Sequence, residues 1–327
     1  YIKHASDYGI TVKGAEADFS KVISRSRGVA DSMSKGVQFL MKKNKIDVIM
    51  GTGKVKPGKK VEIIDAEGKS VIYDGKYIMI ATGARARALP NIPIDGEKVI
   101  EYRKAMSLEK RPDSMVIIGS GAIGVEFAYV YAAMGTKVTI VEFLPNVVPV
   151  EDEDVSKELA KQYKKMGIDI LTNSSVEKVD TKGKGCKVSI KTPTGNQEIS
   201  CDIVLSAAGV ISNLENIGLE EVGIIVDKGK IPVNAWYETN IPGYYAIGDV
   251  TPGPALAHVA SAEGITCVEK FAGQNPHPIR YDNIPGCTYT TPEVASVGMT
   301  EKQAKEAGYE VKIGKFPFSA SGKASAA

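Results

Sequence analysis

The chain has 327 residues, of which 43% are hydrophobic and 24% charged, the composition of an ordinary multidomain globular protein. Its 41 basic and 39 acidic residues nearly balance, so the net charge gives no reason to expect nucleic acid or an anionic membrane as a partner. It has neither a run of about 20 apolar residues nor an apolar signal core at its start, which predicts a cytoplasmic protein that does not cross a membrane.

The first part of the chain predicts a long helix followed by short strands. Apolar residues recur at spacings near three and four over residues 16–43, with Asp18 placed to cap the helix and Gly28 as the point where it could be interrupted. The runs IDVIM, VEII, SVIY and YIMIA then predict a small antiparallel meander. Pro90 and Pro93 indicate a crossing into another domain.

From residue 115 the pattern alternates between strands and helices. Strands are predicted over 115–118, 137–141 and 168–171, helices over 122–134 and 153–165, and further strands as far as residue 205. Helical crossovers of this length imply a parallel sheet, so the predicted fold class is α/β. The strand YYAIGD at 244–249, a helix at about 256–272 and a last β/α unit from about 285 complete the order.

Residues 115–142 carry the most specific motif: a strand, Gly119-x-Gly121-x-x-Gly124, a helix, a second strand and then Glu142. The first glycine permits a tight turn, the second lets the backbone approach a pyrophosphate, and the third allows close packing of helix on strand. Glu142 has nearly the spacing at which a carboxylate hydrogen-bonds a ribose hydroxyl. The segment predicts NAD rather than NADP, because Glu142 would repel the 2′-phosphate. A glycine-rich turn without a ligand is the alternative.

Three further segments suit a flat or phosphorylated ligand. The runs YIMIATG (77–83) and DIVLSAAG (202–209) end in small residues and glycine, and YYAIGDV places Asp249 at a strand end before a helix that starts at ALAH (255–258). Plain packing and turn capping are the local alternatives. The four cysteines match neither a zinc pattern nor a CxxC pair, so we expect buried or unreactive thiols and no metal.

The segments ATGARARALP, GSGAIGVEFA, SAAGVISN, YAIGD, LAHVASAEG and YTTPEVASVGM, in this order, resemble the pyridine nucleotide–disulfide oxidoreductases. The branch that oxidises dihydrolipoyl groups is the most similar. The resemblance implies an FAD-binding domain (1–86 and 217–284) interrupted by a Rossmann-type NAD-binding domain (87–216). The first residues (285–327) of a domain that forms a homodimer interface would follow.

The resemblance also implies cofactor-binding residues and a reaction. For NAD they are Gly119, Ser120, Gly121, Ala122, Ile123, Gly124, Val125, Glu126, Glu142, Val176 and Gly209. For FAD they are Gly53, Thr82, Gly83, Ala84, Asp249, Ala255, Leu256, Ala257 and His258. Electrons would pass from dihydrolipoyl groups on a lipoylated carrier protein of a 2-oxo acid dehydrogenase or glycine cleavage complex, through a redox disulfide and FAD, to NAD.

The family's redox and acid/base residues have no counterpart in this sequence. Its first FAD fingerprint, its CxxxxC pair and the lysine after that pair are expected before Tyr1, and its HxHPT…E segment after Ala327. We therefore expect no catalytic residue here except Glu126, which the resemblance places beside the flavin and which could equally be a solvated helix residue.

Without the lysine that should face it, the Glu126 carboxylate is expected to stay in water. The chain by itself is expected to bind nucleotides without turnover. Another NAD(P)H-dependent disulfide reductase of the family is the alternative enzyme. The phrase VISN also stands at 210–213, where the family usually has Arg-x-Pro-Asn.

Overall fold

A computed structural model describes residues 2–326. The helices are α1 (Phe19–Lys43), α2 (Tyr102–Ala105), α3 (Ala122–Ala133), α4 (Glu153–Lys165), α5 (Leu219–Val222), α6 (Ala257–Phe271), α7 (Glu301–Glu306) and α8 (Gly322–Ala326). The strands are β1 (Thr52–Lys56), β2 (Lys60–Ile64), β3 (Ser70–Asp74), β4 (Ile78–Ile80), β5 (Ala84–Ala86), β6 (Val99–Ile100), β7 (Ser114–Ile118), β8 (Lys137–Val141), β9 (Asp169–Leu171), β10 (Ser175–Asp180), β11 (Cys186–Thr192), β12 (Gly195–Cys201), β13 (Ile203–Ser206), β14 (Val210–Ser212), β15 (Tyr244–Ala246), β16 (Gly286–Thr288) and β17 (Val294–Ser296).

A five-stranded sheet with the order β6-β13-β7-β8-β9 forms the largest layer, and all of its strands are parallel. Met115 and Ile117 of β7 pack with α3 and α4, whereas Val116 and Ile118 pack against the three-stranded sheet β10-β11-β12. Alternate residues of a strand point to opposite faces, so β7 contributes to two cores. The predicted α/β class with a parallel, helix-connected sheet is confirmed.

Helix α1 forms as predicted, with the Asp18 carboxylate accepting the N–H of Lys21 at its start. It passes Gly28 without a break, because one glycine costs a helix only about 1 kcal/mol. None of its residues is buried. Its exposed apolar side chains are Val22, Val29, Met33, Val37, Phe39 and Leu40.

Two details of the predicted meander are wrong. The run IDVIM at 46–50 forms no strand, because no neighbouring strand pairs with it, and β1 begins two residues later at Thr52. The run YIMIA leaves the meander β1-β2-β3, since β4 instead pairs in parallel with β15. That parallel pairing brings the ends of two glycine-terminated segments to one edge, which the sequence did not indicate. Among the helices of residues 2–326, none is long and apolar enough to cross a membrane.

Candidate cofactor-binding sites

The three glycines after β7 have different structural roles. Gly119 has φ +98°, and a Cβ there would lie 2.6 Å from the carbonyl oxygen of Ala207. A Cβ at Gly124 would lie 2.0 Å from the carbonyl oxygen of Gly119. A Cβ at Gly121 would meet nothing within 4 Å. The protein's own packing therefore requires Gly119 and Gly124, whereas Gly121 faces open space that a ligand can enter.

The start of α3, beside Gly121, has no side-chain cap in the part of the chain that the structure describes. Gly121 is the N-cap residue and provides no side-chain hydrogen bond to the helix. Ala122 is exposed and Ile123 half-buried, while the Val125 side chain is fully buried in the core. The first N–H groups of a helix lack partners within it and carry a partial positive charge, so this end fits a phosphate.

Glu142 lies directly after β8 and holds the glycine loop. Its Oε2 accepts the backbone N–H of Ser120 at 2.7 Å and the Ser120 hydroxyl at 2.6 Å, and its Oε1 accepts the N–H of Leu144 at 2.7 Å. The residue is only 6% exposed. A carboxylate has about four acceptor positions, so these three donors leave one for a ligand hydroxyl.

Gly209 and Val176 lie on either side of this loop. Gly209 follows β13, which neighbours β7, and the N–H of Ala207 donates to the carbonyl of Ile118 at 2.9 Å. Val176 is half-buried on β10. Ser174, the residue just before this strand, donates its N–H to the carbonyl of Glu142. Both predicted residues therefore lie near the carboxyl edge of the parallel sheet, where α/β folds bind dinucleotides.

A second group of predicted residues comes together at the carboxyl ends of β4 and β15. The Thr82 hydroxyl donates to the carbonyl of Asn213 at 2.7 Å, and the Asn213 amide donates to the carbonyl of Thr82 at 3.0 Å. Gly83 has φ +67°, and Ala84 pairs with Ser212. The Ser212 hydroxyl in turn donates to the backbone carbonyl of Asp249 at 2.6 Å. Strand β14 thus joins the predicted ATG and GD segments into one site.

The GD turn is fixed through its backbone. Lys230 Nζ also donates to the carbonyl of Asp249 at 2.6 Å, and the N–H of Gly248 donates to the buried Glu263 at 2.6 Å. Glu263 receives a second bond, from the Tyr281 hydroxyl at 2.5 Å. Within residues 2–326 the Asp249 carboxylate itself has no hydrogen-bond partner, which leaves it for a ligand hydroxyl. Lys230, Glu263 and Tyr281 were missed because they lie far from the turn in sequence.

The remaining residues predicted for FAD are spread more widely. Ala255, Leu256, Ala257 and His258 form the start of α6, which has no side-chain cap, and His258 Nε2 lies 3.1 Å from the carbonyl oxygen of Pro285. Gly53 is exposed on β1, paired with Ile63. No hydrogen bond among residues 2–326 connects Gly53 to the ATG or GD turn.

Glu126 has a partner that the sequence did not suggest. Its Oε1 accepts the backbone N–H of Tyr289 at 2.8 Å, and the residue is half-buried. The carboxylate is thus not bound by water alone, because the segment after residue 285 supplies one donor, but it remains partly exposed. Glu126 links the helix of the glycine loop to that segment.

Three of the four cysteines, Cys186, Cys201 and Cys267, are buried, and Cys287 is exposed. Burial raises the pKa of Cys186, and raises the pKa of Cys201 and Cys267 to about 12. Since the thiolate is the reactive form, these thiols resist redox chemistry. Within residues 2–326, no three His, Cys, Asp or Glu side chains are grouped so that they could hold a metal ion.

We expect one thiol to react rapidly with a maleimide or an aromatic disulfide in the native protein at pH 8, and all four to react in denaturant. A pKa near 12 leaves roughly one thiol in ten thousand ionised at pH 8, and burial excludes the reagent as well. Cys287→Ser should abolish the rapid phase. Two or more rapid equivalents in the native protein would contradict this assignment.

Known proteins resemble this chain over nearly its whole length. The family model described as pyridine nucleotide-disulphide oxidoreductase matches residues 5–264, and the dimerisation domain of that family matches residues 284–327. The dihydrolipoyl dehydrogenase of Rhizobium etli is 43% identical over 99% of this chain and 71% of its own length. That of Zymomonas mobilis is 44% identical over 99% of this chain and 70% of its own length. The chain thus spans about seven tenths of these relatives.

Solved structures also resemble this chain. LpdA from Mycobacterium tuberculosis superposes with a TM-score of 0.86 at 27% identity, covering 93% of this chain and 66% of its own. The HOCl-induced flavoprotein disulfide reductase RclA from Escherichia coli gives 0.84 at 27% identity, covering 95% of this chain and 70% of its own. The dihydrolipoyl dehydrogenases use NAD, which the glycine motif predicts, and FAD, which the family resemblance implies. The chain belongs to the pyridine nucleotide-disulphide oxidoreductase family of flavoenzymes.

Proposed function

We propose that this protein is a dihydrolipoyl dehydrogenase, which oxidises dihydrolipoyl groups on a lipoylated carrier protein and reduces NAD. The main support is the presence of two dinucleotide-type sites in one chain, one at the carboxyl edge of the five-stranded sheet and one where β4 and β15 end. The curated relatives above carry the name dihydrolipoyl dehydrogenase. When bound, FAD and NAD supply the two-electron chemistry, and the protein supplies orientation and electrostatics.

The proposal assigns each site a ligand. NAD would bind at residues 119–126 with Glu142, Val176 and Gly209, its phosphates against the uncapped start of α3 and its ribose against Glu142. FAD would bind at Gly53, at Thr82 to Ala84, at Asp249 and along the start of α6, residues 255–258. There the free Asp249 carboxylate suits hydroxyls and the uncapped helix suits phosphate.

The proposal also keeps the predicted organisation. Residues 1–86 and 217–284 would belong to the FAD domain, 87–216 to the NAD domain, and 285–327 to an interface domain that pairs two copies. Support for a homodimer comes from the match of residues 284–327 to the family's dimerisation domain. The carrier would belong to a 2-oxo acid dehydrogenase or glycine cleavage complex, and the location would be the cytoplasm.

Spectroscopy and binding test the proposal together. A protein that carries these residues together with the family's first FAD fingerprint, redox cysteines and acid/base segment should show flavin absorbance, which anaerobic NADH should bleach more readily than NADPH. Dihydrolipoamide should then drive NAD reduction by that protein, whereas residues 1–327 by themselves should bind NADH without turnover. A preference for NADPH would favour another disulfide reductase of the family, and NADH binding without any flavin would favour a nucleotide-binding module. Either result would contradict the proposed activity.

A further inference from the structure

Ser120 lies between the first two glycines of the loop and is completely buried, with 0% of its surface exposed. All of its polar groups are used inside the protein. Its N–H and hydroxyl both donate to Oε2 of Glu142, at 2.7 and 2.6 Å, and its carbonyl accepts the N–H of Val148 at 2.9 Å. No polar group of Ser120 is left for a direct contact with a cofactor.

Val148 supports Ser120 from the other side through a strained backbone. Its φ is +40°, in the left-handed region that a β-branched residue rarely adopts, and such a residue costs about 1–3 kcal/mol. Its side chain is 2% exposed, and its carbonyl accepts the N–H of Glu151 at 2.9 Å. Contacts on both sides therefore hold residues 143–148 in one shape behind the glycine loop.

The same contacts fix the Glu142 side chain. Three flexible torsions separate its carboxylate from the backbone, and bonds to both oxygens remove that freedom. The Ser120 hydroxyl is the only side-chain donor to this carboxylate among residues 2–326, since its other partners are backbone N–H groups. A short hydrogen bond to an ionised oxygen is among the stronger ones in proteins.

We propose that Ser120 is a positioning residue that sets the preference for NAD: its hydroxyl holds the Glu142 carboxylate in one orientation. The carboxylate is then already ordered when it binds the adenosine ribose. Its negative charge repels a 2′-phosphate. This inference rests on the proposed function, in which NAD binds at this loop. Ser120 acts through Glu142, not by touching the cofactor.

Fluorescence titration of the purified protein with NADH and NADPH tests the inference. Ser120→Ala should raise the Kd for NADH about 10-fold, the effect of losing one charge-assisted bond. The Kd for NADPH should change less than about 3-fold, so the selectivity falls. Ser120→Thr, which keeps the hydroxyl, should restore most of the NADH affinity. In a Glu142→Gln background, Ser120→Ala should add less than about 2-fold, because the two residues act as a unit.

Ser174 provides the matched control. It is also buried, at 3% exposed, and its N–H bonds the backbone of Glu142, but its hydroxyl donates to the carbonyl of Thr172 at 2.9 Å. Ser174→Ala should leave both dissociation constants unchanged. Ser120→Cys, which keeps the volume with a weaker donor, replaces Ser120→Ala if urea denaturation shows that the alanine variant does not fold.

Two results would overturn the inference alone: an unchanged Kd for NADH in Ser120→Ala, or equal weakening of NADH and NADPH. Additive losses in the double variant would do the same. If the unchanged protein bound no NADH, the proposed function would fail first, and the role of Ser120 with it.

Discussion

Gly124→Ala is expected to lower the free energy of unfolding by about 3 kcal/mol or more and to abolish NADH binding. The new Cβ would lie 2.0 Å from the carbonyl oxygen of Gly119 and 3.0 Å from its carbonyl carbon, which are backbone atoms that cannot rotate away. Helix α3 would have to move off β7 and lose the packing of Val125, Ala128 and Tyr131, all buried in the core. Urea denaturation and NADH titration measure the two effects.

Gly121→Ala is the matched control for that prediction. Its φ is −64°, which alanine adopts readily, and its Cβ would meet no protein atom within 4 Å. Stability should change by less than about 1 kcal/mol, since alanine reduces the conformational entropy of the unfolded chain, which stabilises the fold and opposes the poorer N-cap. NADH should bind at least about 10-fold more weakly, because the methyl group fills the space proposed for the pyrophosphate. Equal destabilisation by both substitutions would contradict the different roles given to these glycines.

Glu142→Ala is expected to weaken NADH binding by about 1–3 kcal/mol through the lost charge-assisted bond to the ribose. It should also lower the free energy of unfolding by about 2 kcal/mol, because three donors from Ser120 and Leu144 lose their acceptor in a buried site. The affinity for NADPH should fall less than that for NADH, since the substitution also removes the charge that repels the 2′-phosphate.

Glu142→Gln distinguishes the effect of the negative charge of this side chain from the effect of its size. The amide keeps the size of the side chain and one acceptor oxygen, which can still accept both bonds from Ser120, but its nitrogen cannot accept the N–H of Leu144. Stability should therefore fall less than in Glu142→Ala, while the discrimination against NADPH also falls. Parallel titrations with NADH and NADPH, and urea denaturation of each variant, give the comparison. Tighter binding of NADPH than NADH by the unchanged protein would show that Glu142 does not set the cofactor preference.

The sequence predicted most closely those elements whose pattern is local. Strand β8 and helix α4 have the predicted bounds, and β7, α3 and β9 agree within one residue at each end. Their apolar periodicity and the glycines between them are set within a few residues. The family resemblance rests on the same segments, and the matches to known proteins confirm it.

Errors arose where partners distant in sequence decide the outcome. The run IDVIM has strand-forming residues but no strand to pair with, and β4 joins β15, which is more than 160 residues away, in place of the meander. Pairing partners are not encoded in the alternation of one strand, so a β-rich run can be recognised without its sheet.

The sequence by itself determined the parallel sheet with its glycine loop, the acidic residue after β8 and the family. Only the tertiary structure showed which buried residues support the glycine loop, Glu142 and the GD turn. It placed Glu142 against Ser120, put a strained Val148 behind the loop, and brought Lys230, Ser212 and Glu263 to the GD turn. The reason is physical: a motif requires particular backbone shapes and charges locally, whereas the buried donors and acceptors that support it come from wherever the chain returns in space.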